Sequence, residues 1–280
     1  MHLCLRIGET TVSFTWRPLV RALIGYTGFV GSNLINQISF DDLYNSSNIY
    51  DLRGRSFDQI ICAGVSAIKW QANADPSGDW TGIERLLQAL RSVKCRELVL
   101  ISTIDVYPAP RLLDETAHLS GVSNHAYGTH RLALELICKE LFETVRIVRL
   151  PALFGTGLKK NIVFDLINRN CLHAINPQSS FQWYDVRRLS ADIETMCNED
   201  LNLVNLVTEP VVTADLIKAR FSGLADAGFI GTAVGASIHY DLRSRYAELF
   251  GGSAGSQYVE SSSSVLNRLC SFVDEQSAVT

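Results

Sequence analysis

The sequence predicts an α/β fold: a doubly wound parallel sheet with a small C-terminal lobe. Three observations predict it. Between residues 20 and 150, short apolar runs alternate with longer amphipathic stretches, the rhythm of parallel βαβ units with right-handed crossovers. A glycine cluster, Gly25, Gly28 and Gly31, falls at the first strand-to-helix junction. The chain has 280 residues, 47% of them hydrophobic, enough for one substantial core or a core plus a smaller lobe.

The elements follow in order. Residues 20–24 read as a strand ending in glycines, and 29–37 as a helix. Asp42–Tyr44 is a short strand. Residues 59–63 (QIICA) form a buried strand running into Gly64. Residues 80–93 have helical spacing, with Ile83, Leu86, Leu87 and Leu90 on one face. Residues 97–102 (ELVLIS) are the next strand. Residues 126–142 are helical, and 145–150 (VRIVRL) are another strand. After Pro151 the rhythm loosens: 161–168, 190–197 and 214–221 look helical, 181–186 and 202–208 extended. This divides the chain into an N-terminal extension (1–19), a core (20–155) and a smaller lobe with late core elements (156–280). Residues 1–18 have no place in the pattern. The only low-complexity patches are 251–255 and 261–264.

Bulk properties exclude several classes. Net charge is −4, with no basic stripe, so nucleic acid is not expected as a partner. No apolar run approaches the ~18 residues of a membrane span, and residues 1–18 lack a signal-peptide layout. The seven cysteines are scattered, form no CxxC pair and suit free thiols in a cytoplasmic protein. His118, His125 and His173 lack ligand partners at suitable spacing, so no metal site is expected.

The segment ALIGYTGFVGSNL carries the chemistry of a phosphate cradle. A tight strand-to-helix turn suits Gly25, which has no Cβ to obstruct it. Gly28 lets the backbone approach a pyrophosphate, and Gly31 lets the helix pack close to the strand. The phosphates then meet free N–H groups at the helix start. Strand before, helix after and βα rhythm beyond agree on a Rossmann-type dinucleotide domain. Its expected contacts are Gly25, Thr27, Gly28, Phe29, Val30, Gly31, Asn45, Ser46, Ala63 and Gly64. The second strand ends in Tyr44, Asn45, Ser46, Ser47 and Asn48. It offers neither a carboxylate to select NAD nor an Arg or Lys to grip a 2′-phosphate, so the choice between NAD and NADP stays open.

Two further segments, LVLISTIDVY (98–107) and AYGTHR (126–131), go beyond a generic dinucleotide domain. With the glycine turn and RLPALFG (149–155), they resemble the extended short-chain dehydrogenase/reductases, the NAD-dependent epimerase/dehydratase family, over about residues 20–215. The resemblance implies hydride and proton transfer on a nucleotide-activated sugar. It places Thr103 on the reacting oxygen, makes Tyr127 general acid/base and puts Pro151 near the nicotinamide. Tyr127 and residue 131 are four apart and share a helix face. A tyrosine near pKa 10 needs a nearby cation to act as base at neutral pH.

Position 131 departs from the family: it is Arg where the family has Lys. Arg is wider, planar and forked, and need not reach the same ribose hydroxyls. The expected protein is therefore a cytoplasmic NAD(P)-dependent epimerase, dehydratase or reductase with Thr103, Tyr127 and Arg131 as its catalytic set. The alternative is an NAD(P)-binding or sensing protein with an impaired centre. Asp105, Asn161 and Trp183 are candidate substrate contacts, Tyr107 is read as packing, and the assembly this reading allows is a homodimer.

Overall fold

Successive residues Ala22, Leu23 and Ile24 are all buried. Neighbouring strand residues point to opposite faces, so both faces of the sheet they belong to are covered, as parallel sheets require. The computed structural model describes residues 3–7, 10–14, 19–226, 228, 230 and 236–277. In chain order the first half runs β1 (Leu3–Ile7), β2 (Thr10–Phe14), β3 (Arg21–Ile24), α1 (Phe29–Ile35), β4 (Asp42–Tyr44), β5 (Ser56–Cys62), α2 (Lys69–Ala74), α3 (Pro76–Leu90), β6 (Lys94–Thr103) and α4 (Ala126–Leu141). The second half runs β7 (Val145–Leu150), β8 (Ala152–Phe154), α5 (Ile162–Asn168), β9 (Ser180–Phe181), β10 (Trp183–Asp185), α6 (Leu189–Asn198), β11 (Leu203–Asn205), β12 (Val211–Val212), α7 (Thr213–Arg220), α8 (Ser222–Asp226) and α9 (Ser262–Ser277).

Six strands form one parallel sheet in the order β4-β3-β5-β6-β7-β11. Alternate residues serve two cores. Ala22, Ile24, Ile60, Cys62, Leu98, Leu100 and Ile147 pack with α3 and α4. Leu23, Ile61, Val99 and Val148 pack with Leu34 of α1 and with Leu189, Ile193 and Met196 of α6. A third cluster holds the lobe, where Phe154 and Trp183 meet Val211, Leu216 and Phe272. The strand order reverses at β3, with β4 on one side and β5 on the other. That reversal opens a crevice at the carboxyl ends, where open α/β sheets bind ligands.

Some boundaries differ from expectation for clear reasons. Residues 3–7 and 10–14 form an antiparallel pair, β1 with β2, outside the main sheet. The helix expected from residue 80 starts at Pro76, because the Asp75 side chain caps it by accepting from the Gly78 amide. The serine run at 261–264 opens α9, its start tied down by Glu209, which accepts from the Ser262 amide and hydroxyl. Residues 181–186 divide into β9, which pairs with β12, and β10, which pairs with β8.

Candidate active site

The turn after β3 is built so that one glycine faces the crevice and two serve the packing. Gly25 has φ +89°, and a Cβ there would lie 2.3 Å from the Ala63 carbonyl oxygen. A Cβ on Gly31 would lie 2.1 Å from the Gly25 oxygen. Both are therefore fixed by close backbone approach. A Cβ on Gly28 would meet only the Gly25 oxygen, at 3.3 Å. Gly28 lines an open groove with Ile24, Gly25, Thr27, Asn45, Ser46, Ala63 and Gly64, and the far wall adds Ser66, Gly82 and Arg85. Here the glycine backbone offers amides without side-chain bulk, and Thr27, Ser46 and Ser66 offer hydroxyls, which fits a dinucleotide's diphosphate and riboses.

Of the expected cofactor contacts, Gly25, Thr27, Gly28, Asn45, Ser46, Ala63 and Gly64 line this groove. Phe29 and Val30 instead pack against the apolar cluster beneath α1, because a helix that starts at Gly28 turns these side chains back onto the sheet. Arg85, exposed on α3, was missed. The end of β4 carries no cation for this part of the groove; the cation comes from α3.

The start of α4 is drawn tightly against the end of β6. A Cβ on Gly128 would sit 2.2 Å from the Asp105 carbonyl oxygen. The Asn124 amide donates to the Asp105 and Val106 carbonyls at 2.9 and 3.1 Å. His125 caps the helix, its Nδ1 accepting from the Gly128 amide at 3.0 Å. Burial and nearby Lys69 hold the His125 imidazole below its ordinary pKa, consistent with the neutral ring that this acceptor role needs. Tyr127 thereby comes alongside Thr103 and Asp105. Its ring is buried, and its amide donates to Asn73 Oδ1 at 3.0 Å.

Burial raises the Tyr127 hydroxyl above its ordinary 10.0; Asp105 acts the same way, while Arg131 and Thr103 oppose it. Thr103 Oγ1 also accepts from the Asp105 amide, at 3.1 Å. The Asp105 carboxylate takes the Lys69 ammonium at 2.7 Å and the Tyr240 hydroxyl at 2.8 Å. Lys69 and Tyr240 were also missed: they lie on elements far apart in sequence and join the site only through the fold.

Arg131 is 4% exposed, and its guanidinium is largely engaged. Nη1 donates to Asp79 Oδ2 at 2.7 Å, and Nη2 to Asp79 Oδ1 at 2.8 Å. Nη2 also donates to the Ser66 carbonyl at 2.6 Å. His130 Nδ1 meets the same Asp79 carboxylate at 2.8 Å. The guanidinium carbon lies 4.3 Å from the centroid of the Tyr127 ring. Burial disfavours the charged form of Asp79, but hydrogen bonds from Arg131 and His130 outweigh it and hold the carboxyl below its ordinary 3.8. The cation expected beside Tyr127 thus carries a counter-ion of its own.

A family model described as the NAD dependent epimerase/dehydratase family matches residues 41–179. The chain belongs to that family. Solved structures of low identity share its fold. A UDP-N-acetylglucosamine 4-epimerase from Methanobrevibacter ruminantium M1 superposes with TM-score 0.68 at 12% identity, over 95% of this chain and 100% of that one. A dTDP-4-dehydrorhamnose reductase from Clostridium acetobutylicum gives 0.67 at 16%, over 92% and 100%. RMD from Pseudomonas aeruginosa, complexed with NADPH, gives 0.63 at 18%, over 90% and 99%. No curated protein sequence matches the chain.

The remaining expected residues fall outside the convergence at Tyr127. Trp183 is 3% exposed in the lobe's apolar cluster, beside Phe181; its role there is packing. Asn161 caps α5, Oδ1 accepting from the Val163 and Phe164 amides and Nδ2 donating to the Leu153 carbonyl. Pro151 links β7 to β8. Tyr107 packs, as expected: it is buried, with Arg149 Nη1 donating to its hydroxyl at 2.9 Å. No His/Cys/Asp/Glu group that could hold a metal occurs among the described residues, and no described helix is long and apolar enough to cross a membrane.

Proposed function

We propose that this family member is an NAD(P)-dependent oxidoreductase, epimerase or dehydratase acting on a nucleotide-activated sugar in the cytoplasm, as a homodimer. The observation that carries the proposal is the meeting of Tyr127, Thr103 and Asp105 where α4 touches the end of β6, beside a groove whose glycines leave room for a dinucleotide. Bound there, the dinucleotide supplies or accepts hydride. The chain's own residues do the rest. Gly28 and the turn amides hold the diphosphate; Asn45 and Ser46 meet the adenosine ribose. Thr103 hydrogen-bonds the reacting sugar oxygen. Tyr127 gives or takes that oxygen's proton, and Arg131 stabilises the tyrosine through its ring. The Lys69–Asp105–Tyr240 group lies against the sugar. The sugar-nucleotide reading draws support from the Methanobrevibacter structure, which holds UDP-N-acetylmuramic acid.

The ion pair between Arg131 and Asp79 favours a second reading, a protein that binds dinucleotide without turnover. A panel of nucleotide-sugars with NAD and NADP, oxidised and reduced, decides between the two. Absorbance at the reduced-nicotinamide band and product analysis should reveal turnover with at least one sugar. Dinucleotide binding with no turnover across the panel would select the second reading.

A further inference from the structure

We propose that Asp79 is a positioning residue of the site, and that Asp79 and Arg131 act as one unit where the family carries a single lysine. A lysine ammonium is a compact point charge, whereas a guanidinium is a flat fork that a carboxylate grips at two points. Both grips are present, at 2.7 and 2.8 Å. They fix the plane of the guanidinium, whose central carbon lies 4.3 Å from the Tyr127 ring centroid. The Ser66 carbonyl takes a further N–H, so the unit also holds the loop after β5, which lines the dinucleotide groove. Asp79 is itself buried, its side chain 6% exposed, and shared with His130.

The consequence is electrostatic. The guanidinium still opposes the rise of the Tyr127 pKa, but its charge is shared with Asp79. The other groups around Tyr127 are Thr103 at the end of β6 and Asp105 beyond it, His125 at the start of α4, Lys69 and Asn73 on α2, and Tyr240 from the lobe. Lys69 is itself paired with Asp105. No uncompensated cation among these described groups draws the proton from the phenol, so Tyr127 rests as a proton donor. Restoring lysine at position 131 alone would therefore not restore the family's arrangement, because Asp79 would capture the ammonium and the Ser66 carbonyl would lose its donor.

The proposal rests on the Tyr127 role given above, and its test separates the two. Tyr127 ionisation is followed by ultraviolet difference spectroscopy in the intact chain, with each variant's Tyr127→Phe counterpart as blank. NADH binding is followed by fluorescence and thermal unfolding by calorimetry. Asp79→Asn is expected to lower the Tyr127 midpoint by about one pH unit or more, since it leaves an uncompensated cation within a few ångströms. Arg131→Lys alone is expected to leave that midpoint within about half a pH unit of the parent and to weaken NADH binding several-fold. Asp79→Asn combined with Arg131→Lys is expected to lower the midpoint and recover much of the lost affinity. An unmoved Tyr127 midpoint in Asp79→Asn, with only a fall in thermal stability, would mean a purely structural ion pair and overturn the proposal. So would an Arg131→Lys single variant that matches the double. Failure of the parent to bind NADH or NADPH would overturn the dinucleotide reading while leaving the Tyr127 titration to be judged on its own.

Discussion

Helix α4 carries two buried arginine–carboxylate pairs one turn apart, and they teach different lessons. Nearer the helix start Arg131 reaches Asp79 of α3. One turn on, Glu135 takes Arg149 of β7, at 2.6 and 3.0 Å, with Ser102 donating to the same carboxylate. Each guanidinium also lies over a tyrosine ring, Arg131 on Tyr127 at 4.3 Å and Arg149 on Tyr107 at 4.9 Å. The residue types are the same, and the fate of the tyrosine hydroxyl differs. The Tyr107 hydroxyl donates to the Asp114 carbonyl and accepts from Arg149 and the Asn205 amide. Its capacity is spent inside the protein. The Tyr127 hydroxyl instead meets Thr103 and Arg131, beside Asp105. Burial raises both tyrosines above the ordinary value, so an elevated pKa alone does not tell them apart; the identity of the hydroxyl's partners does.

The largest expected effect lies in the core pair. Glu135→Gln leaves the Arg149 charge buried with its ion partner removed, a loss of ~4 kcal/mol and an unfolding midpoint about 10 °C lower. Asp79→Asn likewise keeps one acceptor for its arginine, but Asp79 is the less buried carboxylate, its side chain 6% exposed against 1% for Glu135, so it should cost only ~2 kcal/mol. Equal losses in chemical denaturation would erase the distinction between a pair that holds the fold and one that tunes a site.

Next come the two tyrosines. Tyr127→Phe keeps the ring and removes the transferable proton. On a substrate found in the nucleotide-sugar panel it should lower turnover about a hundredfold or more, with dinucleotide affinity and thermal midpoint nearly unchanged. Tyr107→Phe should do the reverse. It strands hydrogen bonds from Arg149 and Asn205 and should cost ~2 kcal/mol of stability, with turnover within about threefold of the parent. Full turnover by Tyr127→Phe would defeat the acid/base assignment.

The same contrast explains what could be read in advance. The strands of the main sheet were legible because a sheet buried on both faces writes continuous apolar runs, as in QIICA and VRIVRL. The glycine turn was legible because Gly25 and Gly31 are demanded by local backbone approach. That Tyr127 and Thr103 come together, and that Tyr107 packs, was legible in short motifs. The counter-ion was not legible. Asp79 lies 52 residues from Arg131, on a helix whose start was placed four residues too late, and no periodicity links the two. Lys69 and Tyr240 are 171 residues apart and meet only because the lobe folds back over the strand ends. Trp183 was offered to the substrate for its aromatic character, yet a large ring in a small lobe is also what a third apolar cluster needs.

The smallest expected effect concerns cofactor choice. The end of β4 supplies no carboxylate to reward the free 2′-hydroxyl of NAD and no cation to grip the phosphate of NADP. Arg85 on α3 lines the same groove as Asn45 and Ser46, so a cation does face that end, but from a solvent-exposed position. Ion pairs in such settings are worth ~0.2–1 kcal/mol, at most about a fivefold change in affinity. The parent should therefore bind NADPH only a few-fold tighter than NADH, with the margin shrinking as salt rises. Arg85→Ala should remove that margin and leave NADH affinity unchanged. Side-by-side fluorescence titrations at low and physiological salt measure it. A preference for NAD of several hundredfold would require a carboxylate at the ribose, and a loss of both affinities in Arg85→Ala would mean that the arginine shapes the groove wall rather than reading the phosphate.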